Sequence, residues 1–401
     1  MNKIIQIKYE RIFHMHIHTV KPGDTIFKIA REHSTSPIKI IENNEITNPD
    51  SLTVGQEILI LNPTRTYTVR GQDTLIRIAD RFGVKYSSLL SGNPYLAGGN
   101  KLYPGQLLAI KYDAPKYGIA AANGYCYMGT SRDRITFTMP YLTYLTLAVG
   151  KRDENGIKLL FDDTDILDLA KKNGKIPLMR VYDESCDFSE AYADSLLLMA
   201  KSHGYGGITL AAYSAIRKAP EAYAKFLLEL KKRMMEFDLL LFAEIDGNSG
   251  NILPDVCDGY IIMYEKCCLD DIPTFDEGER RIMEKFSMES EPSKAYIDIP
   301  TYGYMGEDEI TKAEAERVAR TSGSEISHDK ERGICHFSYN RYIGGKKERV
   351  RVAYESLENI KAKLALAGEL GFMGISFDIM NIPTEYLMLF ETMFSHPSFP
   401  M

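Results

Sequence analysis

The chain has 401 residues, is 44% apolar and 26% charged, and carries a net charge of −7. That length suggests two or three domains, with a core large enough to need no disulfide staples. The acidic balance has no basic stretch to offset it and argues against nucleic acid, and no apolar run is long enough for a membrane span. A polysaccharide stays open as a partner, because sugars are held by hydrogen bonds and flat apolar faces rather than by counter-charge.

The opening stretch, MNKIIQIKYERIFHMHIHTV, is broken by Gln6, Lys8, Glu10 and Arg11 and is followed by no small-residue cleavage site. It does not read as a signal peptide. Met15 stands directly before the first β-prone run. Residues 1–15 are therefore read as an N-terminal extension, with Met15 as an alternative start.

A repeat comes next. His18-Thr-Val-Lys-Pro-Gly-Asp-Thr-Ile-Phe-Lys-Ile-Ala30 returns as Tyr67-Thr-Val-Arg-Gly-Gln-Asp-Thr-Leu-Ile-Arg-Ile-Ala79, 49 residues later. Asn44 and Asn93 keep that offset, while Leu52, Gly55 and Gln56 match Leu102, Gly105 and Gln106 at an offset of 50. The extra residue falls near Ala97-Gly98-Gly99, a loop composition that tolerates it. Each unit, 16–62 and 65–111, reads as strand, helix, helix, strand. Asp24 and Asp73 are expected at helix N-caps, where a carboxylate accepts from free backbone N–H groups. Leu75, Ile78, Ala79 and Phe82 make an apolar helix face at i, i+3, i+4, i+7.

This pattern resembles the LysM module, and both copies match from end to end. The resemblance implies binding of N-acetylglucosamine-containing glycans, mainly peptidoglycan or chitin. It places the groove at Gly23, Asp24, Thr25 and Ile26 with Asn48, Pro49 and Leu52. In the second copy it places it at Gln72, Asp73, Thr74 and Leu75 with Tyr95 and Leu102. N-capping alone would account for both aspartates. Gln72 replaces Gly23 in the second copy, which is expected to weaken that groove. Two linked modules gain affinity on a polymer through effective concentration.

Residues 112–401 suit one α/β barrel, typically about 250 residues. Tyr144–Val149, Ile176–Val181, Gly207–Leu210, Leu239–Ile245, Gly259–Tyr264, Lys294–Ile299 and Gly374–Phe377 read as buried parallel strands. Ile157–Asn173, Phe188–His203, Ala219–Phe237 and Ser356–Gly371 read as the helices between them. Ile310–Arg320 with His328–Arg351 reads as a small α+β insertion. The fold class is thus a (β/α)8 TIM-type barrel behind two small βααβ units.

Asn123-Gly-Tyr-Cys-Tyr-Met, His203-Gly-Tyr-Gly-Gly-Ile-Thr-Leu and Ile299-Pro-Thr-Tyr-Gly-Tyr304, taken in order, resemble strands one, four and seven of glycoside hydrolase family 18. The likeness is in particular to its LysM-bearing branch active on spore cortex peptidoglycan. Family members carry Asp-x-x-Asp-x-Asp-x-Glu on the fourth strand. The Glu protonates the leaving oxygen, and the substrate's own acetamide attacks the anomeric carbon. Here Gly206, Thr209 and Ala211 hold the aspartate positions and Tyr213 holds the glutamate. A phenol with a pKa of about 10 is a poor general acid at neutral pH. The family's usual floor tryptophan is missing too, since the chain has no Trp; its place falls near Asp378. Tyr264, Tyr302 and Tyr304 remain as stacking surfaces.

These residues predict a glycan-binding protein whose barrel has lost the family reaction. Acids at strand ends (Asp183, Glu244, Asp246, Glu265 and Asp378) keep open a relocated glycosidase, with Glu265, Asp378 and Glu244 the first to test. A chitin-binding, lectin-like barrel is the third reading. No cofactor or metal is expected: the trio Cys257, Cys267, Cys268 does not match zinc-ligand spacing, and the six cysteines read as reduced core residues. Synthesis in the cytoplasm followed by LysM-directed placement on the spore or wall, with spore-coat or cortex proteins as further partners, is the expected setting.

Overall fold

The computed structural model describes residues 15–99, 101–112, 116–153, 156–186, 188–246, 255–263, 277–344 and 346–397. The first unit pairs β1 (Met15–Thr19) antiparallel with β2 (Glu57–Leu61) around helices Ile26–Glu32 and Pro37–Asn43. The second pairs β3 (Arg65–Thr68) with β4 (Leu107–Lys111) around helices Leu75–Phe82 and Tyr86–Ser91 and the short Pro94–Ala97 turn.

The repeated asparagines are internal clips. Asn44 donates to the Ile40 and Leu59 carbonyls and accepts from the Leu59 amide. Asn93 does the same with Leu89 and Ala109. Each joins a helix end to the returning strand, which is why the motif needs an amide that donates twice and accepts once.

The N-caps fall one residue later than expected. Thr25 and Thr74 cap the helices, their hydroxyls accepting from the Lys28 and Arg77 amides at 3.2 and 3.3 Å. Asp24 accepts from the Lys21 amide and from His18 Nε2, both at 2.9 Å. Asp73 accepts from the Arg70 amide and the Tyr67 hydroxyl, both at 2.7 Å. The aspartates close the turn back onto the first strand, a local side-chain-to-backbone bond that competes with capping.

The large domain opens with β5 (Ala121–Cys126), β6 (Tyr144–Asp153) and β7 (Gly156–Leu159). It continues through β8 (Ile176–Tyr182), β9 (Gly207–Ala211), β10 (Leu240–Asp246), β11 (Gly259–Met263) and β12 (Ala295–Asp298). An insertion follows: β13 (Tyr302–Met305), β14 (Asp308–Thr311), β15 (Ser327–Asp329), β16 (Ile334–Ile343) and β17 (Lys346–Glu355). These five strands form one antiparallel sheet. Helix Lys312–Ser322 packs on it through Ala315 and Ala319. β18 (Gly374–Asp378) is last. β5, β6, β8 to β12 and β18 pair in parallel, and β18–β5 and β5–β6 pairings close the ring of eight. Tyr125, Tyr144, Leu178, Phe242, Ile261 and Tyr296 pack together as one buried cluster on its strands.

One predicted helix begins too early. Ile157–Asn173 starts as β7, paired with the extended end of β6 from Gly150 to Asp153, and turns helical only at Thr164–Lys172. A run of apolar residues too short to show its period reads equally as strand or helix. Pairing with the long β6 decides for strand.

The first unit lies against the insertion. Ile326 donates its amide to the Val54 carbonyl at 2.9 Å, and Gln56 Nε2 donates to Glu316 at 2.9 Å. The second unit touches the barrel through Tyr141, whose hydroxyl donates to the Ser91 carbonyl at 3.0 Å, and a buried Lys39–Asn93 bond links the two units.

Candidate functional site

The fourth barrel strand, β9, delivers no carboxylate to the mouth. Gly206 precedes the strand, and Thr209 and Ala211 lie buried within it. Among the described residues Thr209 Oγ1 has no hydrogen-bond partner. Tyr213 begins the next helix, and its hydroxyl donates to Glu244 at the end of β10. Glu244 is fully buried and also accepts from the Tyr125 hydroxyl at 2.7 Å. Arg180, on β8, clamps it from two nitrogens, Nε at 2.5 Å and Nη2 at 2.8 Å. Burial pulls the Glu244 carboxyl upward, but the Arg180 charge and the three donors outweigh it, and the net shift is below the ordinary value. Burial and then the Glu244 charge hold the Tyr213 phenol well above its ordinary value. Tyr213, which the resemblance aligns with the family's acid, is thus a phenol bonded to a carboxylate whose affinity for a proton is lowered. Neither gives up a proton readily at neutral pH.

Beside this cluster a cavity of about 420 Å³ opens between the barrel mouth and the insertion sheet, reached by Asp298, Tyr302, Tyr304, Glu355 and Asp378. Asp378 accepts from the Tyr302 hydroxyl at 2.8 Å, the Met380 amide at 2.8 Å and Asn381 Nδ2 at 3.1 Å. Burial, and then the Glu244 charge, raises the half-buried Asp298 well above the usual carboxylate range. Glu355 is pushed up to about 7, chiefly by burial, although Lys363 pairs with it at 2.7 Å and opposes the shift. Sequence reasoning missed Asp298 and Glu355. Asp298 was findable, because it ends the predicted strand Lys294–Ile299 where barrel sites form. Glu355 was not, because it arrives from the insertion.

The structure brings Tyr302 to Asp378 and Tyr213 to Glu244. Asp183 is taken up elsewhere, by Arg152 Nη1 at 3.1 Å and by Ser185. Tyr264 and Glu265 lie outside the described residues, as does the Asp246 side chain.

In the N-terminal units Gly23, Thr25, Asn48, Gln72 and Thr74 are exposed, and Asp24, Pro49, Leu52, Asp73, Leu75 and Leu102 are half-buried. Ile26 is buried in the core of its own unit, and Tyr95 is 36% exposed. The next residue along each first helix points outward instead: Phe27 is 74% exposed and Ile76 64%. Tyr103 adds a third apolar face at 53% exposure. The helical face pattern marks Phe27 and Ile76 as outward, the signal that distinguishes them from Ile26.

The LysM domain model matches residues 18–61 and 67–111. The two N-terminal units are LysM domains. Across most of its length the chain is similar to the cortical fragment-lytic enzyme of Bacillus anthracis, 22% identical over 91% of this chain and 95% of that one. Among solved structures it is similar to the spore cortex-lytic enzyme SleL of Bacillus megaterium QM B1551. That match has a TM-score of 0.71 and 22% identity over 95% of this chain and 98% of the other. The chitinase of Chromobacterium violaceum ATCC 12472 matches with a TM-score of 0.57 and 14% identity over 68% of this chain and 98% of that one. Likeness at this identity shows the fold: two LysM domains ahead of a chitinase-like (β/α)8 barrel. Other curated relatives are spanned only in part; the chain covers 38% of the endolysin of Bacillus phage B103, 34% identical over 99 residues and 23% of this chain. Among the described residues no helix is long and apolar enough to cross a membrane.

Proposed function

We propose that this chain binds N-acetylglucosamine-containing wall glycan, with spore or cell-wall peptidoglycan the first choice, and that its barrel holds such a glycan without cutting it by the family 18 route. The observation that carries the reading is the Tyr213–Glu244–Arg180 arrangement. Leaving-group protonation needs a carboxylic acid that is protonated near neutral pH, and here the fourth strand supplies a phenol tied to a charge-paired carboxylate. The binding half rests on the two LysM domains, whose loop residues Gly23–Thr25 and Gln72–Thr74 stand beside the exposed Phe27 and Ile76. Tyr302 and Tyr304 offer ring faces in the barrel cavity. Spore or wall association and contact with cortex or coat proteins belong to the same proposal.

The test is co-sedimentation of the full chain with purified cortex peptidoglycan and with chitin, followed by a reducing-end assay on both. The expected outcome is a pellet on peptidoglycan and no new reducing ends. Turnover by the wild type would overturn the non-cutting half.

A second reading has one observation in its favour: Asp298 and Glu355 line the cavity with carboxyls that burial raises, Asp298 well above the usual carboxylate range and Glu355 to about 7. With Asp378 as partner, such an acid suits an ordinary two-carboxylate glycosidase. Turnover that disappears in Asp298→Asn or Asp378→Asn selects this reading, and loss in Glu265→Gln moves the chemistry to the sixth strand. Glu244 is the weakest candidate here, because Arg180 already neutralises it.

A further inference from the structure

We propose that Glu57, His328 and Cys335 form a zinc(II) site that fastens the first LysM domain to the barrel insertion. Glu57 comes from β2 of the LysM domain, and His328 and Cys335 face each other across β15 and β16. Their donor atoms converge. Cys335 Sγ lies 3.6 Å from Glu57 Oε2 and 3.6 Å from His328 Nδ1, and His328 Nδ1 lies 3.5 Å from Glu57 Oε1. Zinc–sulfur bonds of about 2.3 Å and zinc–nitrogen or –oxygen bonds of about 2.0–2.1 Å, set at tetrahedral angles, put donor atoms about 3.3–3.6 Å apart. Each spacing falls in that range, with the sulfur facing Oε2 and the imidazole facing Oε1, so the carboxylate binds through both oxygens or through one after a small rotation, and 3.5 Å between Nδ1 and a carboxylate oxygen is too long for a good hydrogen bond.

The outer contacts fit as well. His328 Nε2 lies 2.7 Å from the Gly55 carbonyl, which can only accept, so Nε2 carries a hydrogen. In the neutral ring Nδ1 then presents its lone pair to a carboxylate and a sulfur. A histidine that donates its far nitrogen to a backbone carbonyl and aims the near one at other ligands is the usual arrangement around a metal. Glu57 is oriented by the Leu357 amide, which donates to it at 2.5 Å. Glu57 and Cys335 are 4% and 0% exposed. An independent observation lies next door: Tyr354, paired in register with Cys335, is 3% exposed, and among the described residues its hydroxyl has no hydrogen-bond partner. A water supplies the fourth position.

Sulfur, imidazole and carboxylate together favour zinc over calcium or magnesium. On binding, the zinc–sulfur bond forms as the S–H bond breaks, and the thiol proton leaves to solvent, so loading releases one proton per site. Cysteine spacing alone could not reveal this site, because Glu57 comes from a segment far from the paired strands that carry His328 and Cys335.

The experiment uses the full-length protein, stripped with chelator and titrated with cobalt(II) and then zinc(II). The expected result is a thiolate-to-cobalt charge-transfer band saturating near one equivalent and quenched by zinc, with a thermal midpoint that rises on loading. Cys335→Ser abolishes the band. Glu57→Gln, which keeps the side-chain shape and an acceptor for the Leu357 amide, weakens zinc binding by at least about 100-fold. A second cluster, His18, Glu32 and His33, has no sulfur, so it cannot give the band, and His33→Ala leaves the band in place. A wild type with no band, or a band that survives in Cys335→Ser, overturns the proposal.

Discussion

The two LysM domains carry one signature in two environments. Gly55 and Gly105 make the same left-handed turn, with φ of +85° and +87°. A Cβ on Gly55 would sit 1.9 Å from the Ile326 carbonyl oxygen, whereas nothing lies within 4 Å of one on Gly105. Gln56 is buried and donates to Glu316, while Gln106 only closes its own loop by accepting from the Tyr103 amide. At the next position the repeat breaks: Glu57 is 4% exposed, and Leu107 is 39% exposed. The repeated pair of glycine and glutamine is present in both units, and only in the first does it meet a partner. Docking is decided by the insertion surface that Gly55 and Gln56 face, Glu316, Ile326 and His328, with the unrepeated Glu57 beside them.

Four measurements sharpen or break that contrast. The largest effect is expected from Gly55→Ala against Gly105→Ala. Both pay the positive-φ cost of about 1 kcal/mol, and only the first adds a backbone overlap worth roughly 1–3 kcal/mol more. Urea midpoints read the difference, and equal midpoints would mean that the first domain is not docked in solution.

Next, Gln56→Ala should cost about 1.5–3 kcal/mol, because it strips a hydrogen bond from a buried carboxylate. Gln106→Ala should cost about 0.5–1 kcal/mol, since only a loop bond to a half-exposed side chain is lost. Denaturation of both variants at one pH ranks them, and a larger loss for Gln106→Ala contradicts the docking.

A pH series follows. Burial raises the Glu316 carboxyl, with Lys312 opposing and Glu385 adding to the shift. Its folded value therefore lies above the unfolded one. The stability it contributes is complete below about pH 4.3 and is lost as the pH rises through the folded value, at no more than about 1.4 kcal/mol per pH unit. Glu316→Gln should flatten the fall in stability above about pH 4.3. An unchanged slope refutes the assignment.

The smallest effect concerns the glycan. Phe27→Ala and Ile76→Ala should each weaken binding to peptidoglycan by roughly 1–2 kcal/mol, from the apolar face lost under a sugar ring. The double variant should lose more than either, because linkage no longer helps. Pull-down against increasing peptidoglycan measures this, and a silent Phe27→Ala would place the groove elsewhere.

Much of the architecture was legible. The 49-residue offset announced two copies, and the alternation of short apolar runs with long amphipathic stretches announced the barrel. Where reading failed, a long-range partner had overruled a local preference. Asp24 looks like a cap until His18 and the Lys21 amide are seen to hold it. Ile157–Leu159 looks helical until β6 is seen to run long enough to pair with it. Tyr213 was read from the resemblance as standing where an acid is expected. That its hydroxyl meets Glu244, and that Arg180 fixes that carboxylate, was not, because two strands and a helix contribute one side chain each.

The order of residues alone settled the repeats, the barrel class and the absence of a carboxylate at the fourth strand's end, because each is written in local spacing and residue type. Only folding decided which acids share the cavity, which LysM copy is anchored, and that Glu57, His328 and Cys335 meet. Those are contacts between segments up to 278 positions apart. Closing the barrel and seating the first domain on its insertion brings them within bonding distance, and no local pattern encodes that.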